Sequence, residues 1–409
     1  MKKLLMVTIE LPFPATSGGR IKSWNMLKAL TQHYKVSLAA PIKYGYDEFD
    51  QFKSAVELKK FYCETVERER SAKNLIKSYM AGIPLNVYRS RSHALLDQIA
   101  ADADQFDIIF LDHYESFQYL PANFKGKVIL HTHNATYLMW ERYATSGEGL
   151  AMRTAAALEA RRVKGYEKSA CNRADLVFAA PNDIDNLSQL GCDRSKFRET
   201  FHLGDDSQLA LDELNFADTQ EQLFYVGTLN WEANVDGLIW FLQQIWPAIK
   251  AERPGISFKI AGGKPDPRLI AITSDLNDVE LLGFVDDLEP HFKASRLFIA
   301  PLRFGSGIKV KVLNTMCRGL PIVTTTIGAE GLEVLHMKHM AIADSVDDTL
   351  ASIEELLDNG EQWTTIRDRS REIIREKYTW SRVLGNMISE IDLTLNTIQP
   401  DVKAPDEAH

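Results

Sequence analysis

The sequence predicts an α/β protein made of two domains, each built on a parallel β-sheet with helices on both faces. Short apolar runs alternate with helical patterns in both halves of the chain, and this alternation is typical of parallel sheets. The length of 409 residues is enough for two domains that each bury a sizeable core. Between residues 204 and 219 the apolar periodicity lapses and four aspartates accumulate, so we expect an interdomain linker at 206–219.

The first half of the chain supplies five predicted strands and two clear helices. The apolar runs at 4–9, 35–40, 108–111, 128–131 and 176–180 are the strands. Helical spacing of apolar residues covers 21–33 and about 151–172. The charge-rich stretch 46–103 is mostly helical in pattern, and we interpret it as an elaboration of the first domain. In the long second helix we expect four charged side chains to face solvent: Glu159, Arg161, Arg162 and Glu167.

The second half repeats the alternation. Strands are predicted at 223–227, 258–261, 279–284, 297–301 and 340–343, and a further short strand follows Gly319 and Pro321. Helical patterns cover 233–250, two segments within 347–378, and a last helix at about 380–395. The polar tail at 399–409 contains two prolines, and we expect it to be disordered.

Composition excludes several classes of protein. Hydrophobic residues make up 45% of the chain and charged residues 25%, which is ordinary for a soluble globular protein. The net charge of -9 argues against a nucleic-acid binder that relies on overall positive charge. The four cysteines form no Cys-x-x-Cys pair and no zinc-like spacing, so a reducing, cytoplasmic setting fits best. No apolar run approaches the roughly 20 residues of a membrane span, although attachment to a membrane surface stays open.

A glycine turn near the start of the last third is the most informative segment. Gly305, Ser306 and Gly307 follow a predicted strand and precede a predicted helix, whose first amides lack partners. Lys309 and Lys311 fall in the first turn of that helix, where cations oppose the helix dipole unless an anion is bound. Two solvated lysines on a surface helix are the alternative.

A helical wheel divides this helix into two faces. One arc is apolar and is expected to be buried: Val310, Val312, Leu313, Met316 and Cys317. The opposite arc forms a polar strip that is expected to face a site: Lys311, Asn314, Thr315 and Arg318.

Two loops of the first half also lie where ligands bind in parallel sheets, beyond the carboxyl ends of strands. Gly18 and Gly19 follow the first strand and allow backbone amides to face a ligand, although a plain turn is the alternative. The dinucleotide fingerprint Gly-x-Gly-x-x-Gly is absent there, which weakens a dehydrogenase interpretation. His131 and His133 end another strand, where a histidine can bind a hydroxyl or phosphate or transfer a proton; a structural histidine is the alternative.

Loops of the second half complete a candidate rim. Gly227 and Asn234 lie after that domain's first strand, but no Lys or Arg occurs from 227 to 240. A phosphate held in this domain must therefore draw its charge from Arg303, Lys309 and Lys311. Gly263, Phe284 and Val285 lie in loops that could hold a nucleobase through backbone groups.

Taken together, these segments resemble the GT-B glycosyltransferases, specifically the large retaining group that uses nucleotide-sugar donors. The resemblance covers most of the chain and is strongest from Phe224 to Thr326. The motifs there are Phe224-Tyr-Val-Gly-Thr-Leu-Asn-Trp, Phe258-Lys-Ile-Ala-Gly-Gly-Lys-Pro, Leu282-Gly-Phe-Val-Asp-Asp and the glycine turn with its helix. The segments Pro12-Phe-Pro-Ala-Thr-Ser-Gly-Gly-Arg, His133-Asn and Tyr378-Thr-Trp also match.

The resemblance implies a GT-B fold, in which two Rossmann-like domains face each other across a cleft. Residues 1–205 would form the acceptor-side domain, and 206–219 the linker. Residues 220–379 would bind the nucleotide-sugar, and the helix at 380–396 would return to the first domain, followed by a disordered tail at 397–409. The acceptor would be a glycan, a lipid-linked molecule or a protein, and peripheral contact with the inner face of a membrane through the first domain stays open. No nucleic acid is expected as a partner.

The resemblance also implies catalysis without a metal or other cofactor. Lys311, then Arg303 and Lys309, would stabilise the departing diphosphate together with the amides of the glycine turn. Gly18 and Gly19 would meet the same diphosphate, and His133 would position the donor sugar or the diphosphate. Further donor contacts would come from these residues: Gly227, Asn234, Gly263, Phe284, Val285, Gly305, Ser306, Gly307, Ile308 and Asn314. Retention in this group is usually explained by attack on the same face, with a donor phosphate oxygen taking the acceptor's proton.

The chain departs from the family at two pairs of positions. Many members carry two glutamates eight positions apart around the glycine turn, where this chain has Ser306 and Asn314. Many also carry Arg and Lys where this chain has Thr228 and Ala233 or Asn234. The leading hypothesis is a retaining transferase that uses a nucleotide donor such as a UDP-sugar to build a bacterial cell-surface polysaccharide. Two rivals are a non-catalytic subunit that steadies a partner transferase and a sugar-nucleotide epimerase of the same fold.

Overall fold

The chain folds into two compact units in a computed structural model. This structure describes residues 1–15, 18–42, 48–69, 71–146, 150–201, 203–305 and 307–396. The first unit comprises Met1–Thr200 and Leu384–His409, and the second comprises Phe201–Val383. Ser306 and the tail at 397–409, for which the sequence makes predictions, lie outside the described residues.

The first unit is built on a seven-stranded parallel sheet in the order β3-β2-β1-β4-β5-β6-β7. Its strands are β1 (Lys3–Val7), β2 (Lys35–Ile42), β3 (Phe61–Thr65), β4 (Ile108–Asp112), β5 (Lys127–His131), β6 (Leu176–Ala179) and β7 (Phe197–Glu199). Its helices are α1 (Gly18–His33), α2 (Phe49–Ala55), α3 (Ala72–Met80), α4 (Leu85–Arg89), α5 (His93–Asp102), α6 (Thr136–Ser146), α7 (Leu150–Arg173) and α8 (Pro181–Gln189). Every residue of β4 is buried, as expected for a central strand with helices on both faces.

The second unit is built on a six-stranded parallel sheet in the order β10-β9-β8-β11-β12-β13. Its strands are β8 (Gln220–Val226), β9 (Ser257–Ala261), β10 (Val279–Gly283), β11 (Ser295–Ala300), β12 (Ile322–Thr324) and β13 (Ala341–Ile342). Its helices are α9 (Glu232–Trp240), α10 (Trp246–Glu252), α11 (Pro267–Ser274), α12 (Glu289–Ala294), α13 (Val310–Arg318), α14 (Val346–Asp358) and α15 (Gly360–Lys377). A π-helical turn at Phe241–Ile245 lies between α9 and α10, within the helix predicted at 233–250.

The strand order of each sheet reverses at one point. In the first sheet β1 lies beside β4, and in the second sheet β8 lies beside β11. Loops at the carboxyl ends of strands that flank such a switch point diverge and leave a crevice for a ligand. Ligand-binding residues are therefore expected in the loops after β1, β4, β8 and β11.

The last helix, α16 (Trp380–Asn396), begins in the second unit and belongs to the first unit from Leu384 onward. Within the first unit, Asp392 accepts a hydrogen bond of 2.7 Å from the Tyr34 hydroxyl, and Glu390 pairs with Arg198 at 2.6 Å. These two contacts join α16 to β7 and to the residue that follows α1.

The segment predicted as a linker, 206–219, lies within the second unit and is packed there. It contains two 3-10 turns, Asp206–Ala210 and Phe216–Asp218. Arg318, Arg367 and Arg371 donate hydrogen bonds of 2.6 to 2.9 Å to backbone carbonyls of the stretch 209–214. Guanidinium groups thus satisfy backbone carbonyls of a stretch that contains no α-helix or β-strand.

The prediction that Glu159 and Glu167 face solvent is wrong, since each is only 1% exposed. Glu159 accepts a hydrogen bond from the Leu85 amide at the start of α4 and pairs with Arg162 at 2.7 Å. Glu167 accepts hydrogen bonds from the amides of Thr136 and Tyr137 at the start of α6, at 2.7 and 3.2 Å. Both carboxylates therefore satisfy backbone donors at the starts of helices that are distant in sequence.

The polar strip predicted on α13 is also wrong in part. Thr315 and Arg318 are fully buried, whereas Val310, expected in the core, is 40% exposed. Arg318 forms a bidentate ion pair with Glu289, at 2.8 and 2.9 Å, and its helix packs against α15. Lys309 is the N-cap residue of α13 instead of lying in its first turn.

Candidate active site

Lys311 brings a buried amine to the point where the second sheet reverses. Its Nζ donates hydrogen bonds of 2.6 Å to the Tyr225 hydroxyl on β8 and to Asn234 Oδ1 on α9. The Asn234 side chain is oriented in turn by a 2.8 Å bond from its Nδ2 to the Thr228 carbonyl. Burial, with a smaller effect of the nearby Lys309 charge, lowers the pKa of Lys311 to about 7.

The other two predicted cations already have carboxylate partners. Arg303 pairs with Asp236 through two hydrogen bonds of 2.9 and 3.3 Å. Lys309 lies 3.3 Å from Glu330 and also donates to the Gly307 carbonyl, and burial lowers its pKa. Among the residues that the structure describes, Lys311 has no carboxylate partner. It is therefore the cation of this group that an anion could best neutralise.

Gly227 joins Lys311 to a cavity of about 440 Å³ in the second unit. A Cβ built on Gly227 would lie 2.6 Å from the Tyr225 hydroxyl and 3.1 Å from Lys311 Nζ, so the amine lies directly beside this glycine. Gly227, Gly263, Phe284 and Val285 all line the cavity. The structure therefore brings these four predicted residues together around one space, and the Lys311 amine lies beside one of them, Gly227.

The glycine turn before α13 has the backbone that its residues predict. Gly305 has a φ of 137° and Gly307 a φ of 74°, both in the region that favours glycine. Ile308 packs against Gly331, where a Cβ would lie 2.8 Å from Ile308 Cγ1. This turn is thus fixed by packing on the segment after β12.

Asn314 does not lie open to a ligand as predicted. Its Oδ1 accepts a 2.7 Å hydrogen bond from the Asp205 amide, and a Cβ on Gly204 would overlap that oxygen. The side chain therefore holds the start of the second unit's chain against α13. A contact with a donor could use its amide nitrogen or the second lone pair of this oxygen.

In the first unit, Asp112 lies at the centre of a buried hydrogen-bond network. Its Oδ1 bonds to His131 Nδ1 at 2.7 Å and to His133 Nε2 at 2.9 Å, and its Oδ2 accepts from the Ser23 hydroxyl at 2.5 Å. Although burial opposes its ionisation, His133, His113 and these hydrogen bonds hold the pKa of Asp112 well below its usual range. Sequence reasoning missed Asp112, although it ends β4 as His131 ends β5, and a histidine follows it directly.

The histidines around Asp112 are neutral at physiological pH. Burial lowers the pKa of His133 to about 4 and that of His131 and His113 to about 3. The rings of His113 and His133 stack with centroids 3.6 Å apart and planes 2° from parallel. Asp112, His113 and His133 carry ligand atoms within 4.8 Å of one another. Parallel stacked rings do not aim their in-plane nitrogen lone pairs at one ion, which disfavours a metal held by this trio.

The start of α1 lies beside this network. A Cβ on Gly19 would lie 3.9 Å from His133 Nδ1, so the structure brings these two predicted residues together, whereas a Cβ on Gly18 would meet nothing within 4 Å. Lys22, one turn further on, is 3% exposed, and burial lowers its pKa to about 7 in spite of the Asp112 charge. Sequence reasoning missed Lys22 as well, because a lysine on an amphipathic helix is usually solvated.

Comparison with known proteins agrees with this architecture. Residues 220–359 match the model of the family described as glycosyl transferases group 1. A protein of Klebsiella pneumoniae described as an uncharacterized 44.6 kDa protein in the cps region is 23% identical over 95% of this chain and 100% of its own length.

Solved structures share the fold over almost the whole chain. Sucrose-phosphate synthase from Thermosynechococcus elongatus superimposes with a TM-score of 0.66 at 14% identity, covering 96% of this chain and 99% of its own. HepE of Anabaena, solved with UDP, superimposes with a TM-score of 0.65 at 12% identity, covering 96% of this chain and 100% of its own. None of the described helices is long and apolar enough to cross a membrane.

The chain has the GT-B fold and contains a glycosyl transferases group 1 domain at residues 220–359. Its second unit carries the part that matches the glycosyl transferases group 1 model, and this part contains Lys311 and the cavity beside it. The predicted fold class and the resemblance to this group are thereby confirmed.

Proposed function

We propose that the protein is a metal-independent, retaining glycosyltransferase that moves a sugar from a UDP-sugar to a glycan acceptor. The observation that carries this proposal is the Lys311 amine, which is held by two neutral partners beside Gly227, a residue that lines the cavity of the second unit. A buried cation without a counter-charge is costly, and a bound diphosphate would supply that charge.

The cavity supports a nucleoside as the neighbouring group. Its volume of about 440 Å³ lies within the usual range of small-molecule pockets. Its glycines expose backbone groups that can hydrogen-bond a base, and the exposed ring of Phe284 can cover it. HepE, which has the same fold, was solved with UDP and with UDP-glucose, which supports uridine as the base.

In the proposed reaction, the bond between the anomeric carbon and the diphosphate oxygen breaks and a bond to the acceptor oxygen forms on the same face. The acceptor's proton goes to an oxygen of the departing UDP. Lys311 stabilises the negative charge that develops there, and Arg303 and Lys309 contribute less because Asp236 and Glu330 already neutralise them. His133, fixed by Asp112, positions the donor sugar or the diphosphate.

The product we propose is a bacterial cell-surface polysaccharide, with a glycan or lipid-linked acceptor. Support for it comes from the relative in the cps region of Klebsiella pneumoniae. A non-catalytic subunit is the second candidate, and the engagement of Asn314 with the Asp205 amide favours it, because a residue at a family donor position is used structurally here.

A nucleotide panel tests the proposal. Thermal shift with UDP, GDP and ADP, each with EDTA and then with Mg²⁺, should show stabilisation by UDP that does not require the metal. Turnover of UDP-sugars with glycan acceptors should then release UDP with retention at the anomeric carbon, as read by NMR. No stabilisation by any nucleotide would refute the site assignment. Binding without turnover on every acceptor tried would favour the non-catalytic subunit.

A further inference from the structure

The amino end of the first sheet carries a basic cavity that the proposed reaction does not use. Its volume is about 270 Å³, and four lysines line it: Lys3, Lys35, Lys59 and Lys60. Lys3 begins β1, Lys35 begins β2, and the other two directly precede β3. Because all strands of the sheet are parallel, this end is opposite the one that carries His133 and the loops after β1 and β4.

The cavity holds more positive than negative charge. Two of its lysines have carboxylate partners, at 2.6 and 3.1 Å: Lys60 with Asp102 and Lys59 with Glu57. Neither carboxylate lines the cavity. The side chains of Lys3 and Lys35 form no ion pair with any residue that the structure describes. In a chain whose net charge is -9, this cavity is thus a local site of uncompensated positive charge.

The register of the sheet places Lys3 and Lys35 side by side. Lys3 on β1 is the direct partner of Lys35 on β2, so both side chains project from the same face of the sheet. The nearby Asp107 carboxylate already pairs with Lys2 at 3.1 Å and accepts a 2.8 Å hydrogen bond from the Lys3 amide. Like charges on directly paired residues repel, so an anion held between the two amines would stabilise this arrangement.

Ser37 gives a second indication of a ligand, which does not depend on charge. It follows Lys35 by two residues on β2 and therefore lies on the same face of the strand, lining the cavity. The residue is only 4% exposed. Its hydroxyl has no hydrogen-bond partner among the described residues but keeps some accessible surface, which the cavity provides. Because buried polar groups are nearly always hydrogen-bonded, we infer that a ligand in the cavity pairs with this hydroxyl.

The lining of the cavity restricts the ligand to a small dianion. Two amines without a carboxylate partner match two negative charges, and a phosphate monoester carries nearly two at neutral pH. Its oxygens can accept hydrogen bonds from two amines and a hydroxyl at once. The buried rings of Tyr62 and Phe106 complete the wall and reduce the screening of these charges. The volume is below the usual range for drug-sized ligands, so a nucleotide-sugar does not fit.

We propose that this cavity binds the phosphate group of a phosphate monoester through the amines of Lys3 and Lys35 and the hydroxyl of Ser37. The bound group would join the amino ends of β1 and β2 without touching the residues of the candidate active site. The proposal uses residues of the first unit only and does not rest on the proposed function. A phosphate monoester can belong to a soluble compound or to a lipid, and the experiments separate these two sources.

Calorimetric titration with methyl phosphate tests the site at constant ionic strength, near pH 7.5, where a phosphate monoester is a dianion. Dimethyl phosphate, a monoanion of similar size, is the comparison. Both titrations use the full chain carrying Lys311→Ala, so that an anion bound at Lys311 does not contribute. We expect saturable one-to-one binding of methyl phosphate and roughly tenfold weaker binding of dimethyl phosphate, which carries one charge less. Absence of saturable binding, or equal affinity for the two anions, would overturn the proposal.

Variants of the lining locate the binding. Replacing Lys3 and Lys35 together by glutamine should weaken methyl phosphate binding by roughly tenfold or more, and Ser37→Ala by about threefold. Both lysines are exposed, so the double variant should fold. The matched control replaces Lys73 and Lys77 by glutamine, since these exposed lysines of α3 do not line the cavity. Unchanged binding in the double variant, or an equal loss in the control, would overturn the proposal.

Flotation with phosphatidylcholine vesicles, with and without phosphatidic acid, identifies the source of the group. Flotation that requires phosphatidic acid and is lost in the double variant of Lys3 and Lys35 would place the phosphate on a lipid. Binding of methyl phosphate without flotation would place it on a soluble compound. Either result supports the proposal, because the recognised group is the same.

Discussion

The amine of Lys311 lies 2.6 Å from the hydroxyl of Tyr225, and a Cβ placed on Gly227 would come within 3.1 Å of that amine. The amine thus lies beside an aromatic hydroxyl and a glycine backbone, and that glycine lines the cavity. Because burial and, to a smaller extent, the nearby Lys309 charge lower the pKa of Lys311, its amine loses its proton more easily than an ordinary lysine. Near neutral pH this amine is therefore only partly protonated in the free protein, and a bound anion would favour its protonated form.

Replacing Lys311 should weaken UDP binding without unfolding the chain. We expect Lys311→Ala to weaken UDP binding roughly 10- to 100-fold, the usual range for a lost hydrogen bond to a charged group. The melting temperature of the free variant should stay close to that of the parent, because the lost hydrogen bonds are offset by removal of a buried amine. Calorimetric titration with UDP and a thermal scan measure the two effects.

The control for this variant is Lys338→Ala, since Lys338 is an exposed lysine of the same unit. It should bind UDP as the parent does. Equal UDP affinity in the Lys311 variant and this control would show that the amine does not meet the diphosphate.

UDP affinity should fall as the pH rises above about 7. In the free protein the pKa of Lys311 is about 7, and a bound diphosphate would raise it, so binding takes up a proton above that pH. The terminal phosphate is ionised throughout this range, because phosphate monoesters lose their second proton near pH 6. Titrations at pH 7, 8 and 9 should show Kd rising by up to about tenfold per unit.

Proton uptake itself can be measured by repeating the titration in buffers of different ionisation enthalpy. The Lys311→Ala variant should lose both the uptake and the pH dependence. A slope that persists in this variant would assign the titration to another group, of which Lys22 in the first unit is one.

Gly227→Ala should disturb the amine without changing any charge. The added methyl would lie 2.6 Å from the Tyr225 hydroxyl and 3.1 Å from Lys311 Nζ, so one of these groups must move. We expect UDP affinity to fall about tenfold, or ~1.4 kcal/mol. Gly255→Ala is the matched control, because a Cβ there would meet nothing within 4 Å. If both alanine variants bind UDP equally well, Gly227 does not shape the site.

Asp112→Asn should lower turnover and leave UDP binding unchanged. The change keeps the shape of the side chain but removes the charge that accepts hydrogen bonds from His131 and His133. Misplacement of a positioning group can reduce the rate on the order of 100-fold. Steady-state kinetics and UDP thermal shift separate the two effects, with exposed Asp104→Asn as the control. A parallel loss of UDP binding, at an unchanged melting temperature, would assign His133 to the diphosphate and not to the donor sugar.

The sequence predicts the parallel sheets well because burial on both faces leaves continuous apolar runs such as 108–111. The sequence does not predict β3, which lies at the edge of the first sheet. β3, Phe61-Tyr-Cys-Glu-Thr, is a half-buried edge strand whose polar residues and charged surroundings imitate the neighbouring helices. Its pairing with β2 decides the structure, and that pairing is not local.

Charged residues show more clearly that local periodicity does not identify the partner of a side chain. A helical wheel places Arg318 and Glu167 on polar faces, because it contains only the periodicity of their own helices. Arg318 is buried by its ion pair with Glu289, and Glu167 by the amides of Thr136 and Tyr137, 31 and 30 residues away. Asp112 becomes central only because β4 and β5 are neighbours in the sheet. Each of these partners is set by topology and not by spacing along the chain.

The membership of the last helix has a consequence for synthesis. Residues from Leu384 onward belong to the first unit, with Asp392 on Tyr34 and Glu390 on Arg198. On the ribosome, the first unit therefore remains incomplete until the whole second unit has been translated. A nascent chain released at residue 383 would contain every strand of both sheets and still lack the partners of Tyr34 and Arg198. The first unit is therefore translated first but is completed last.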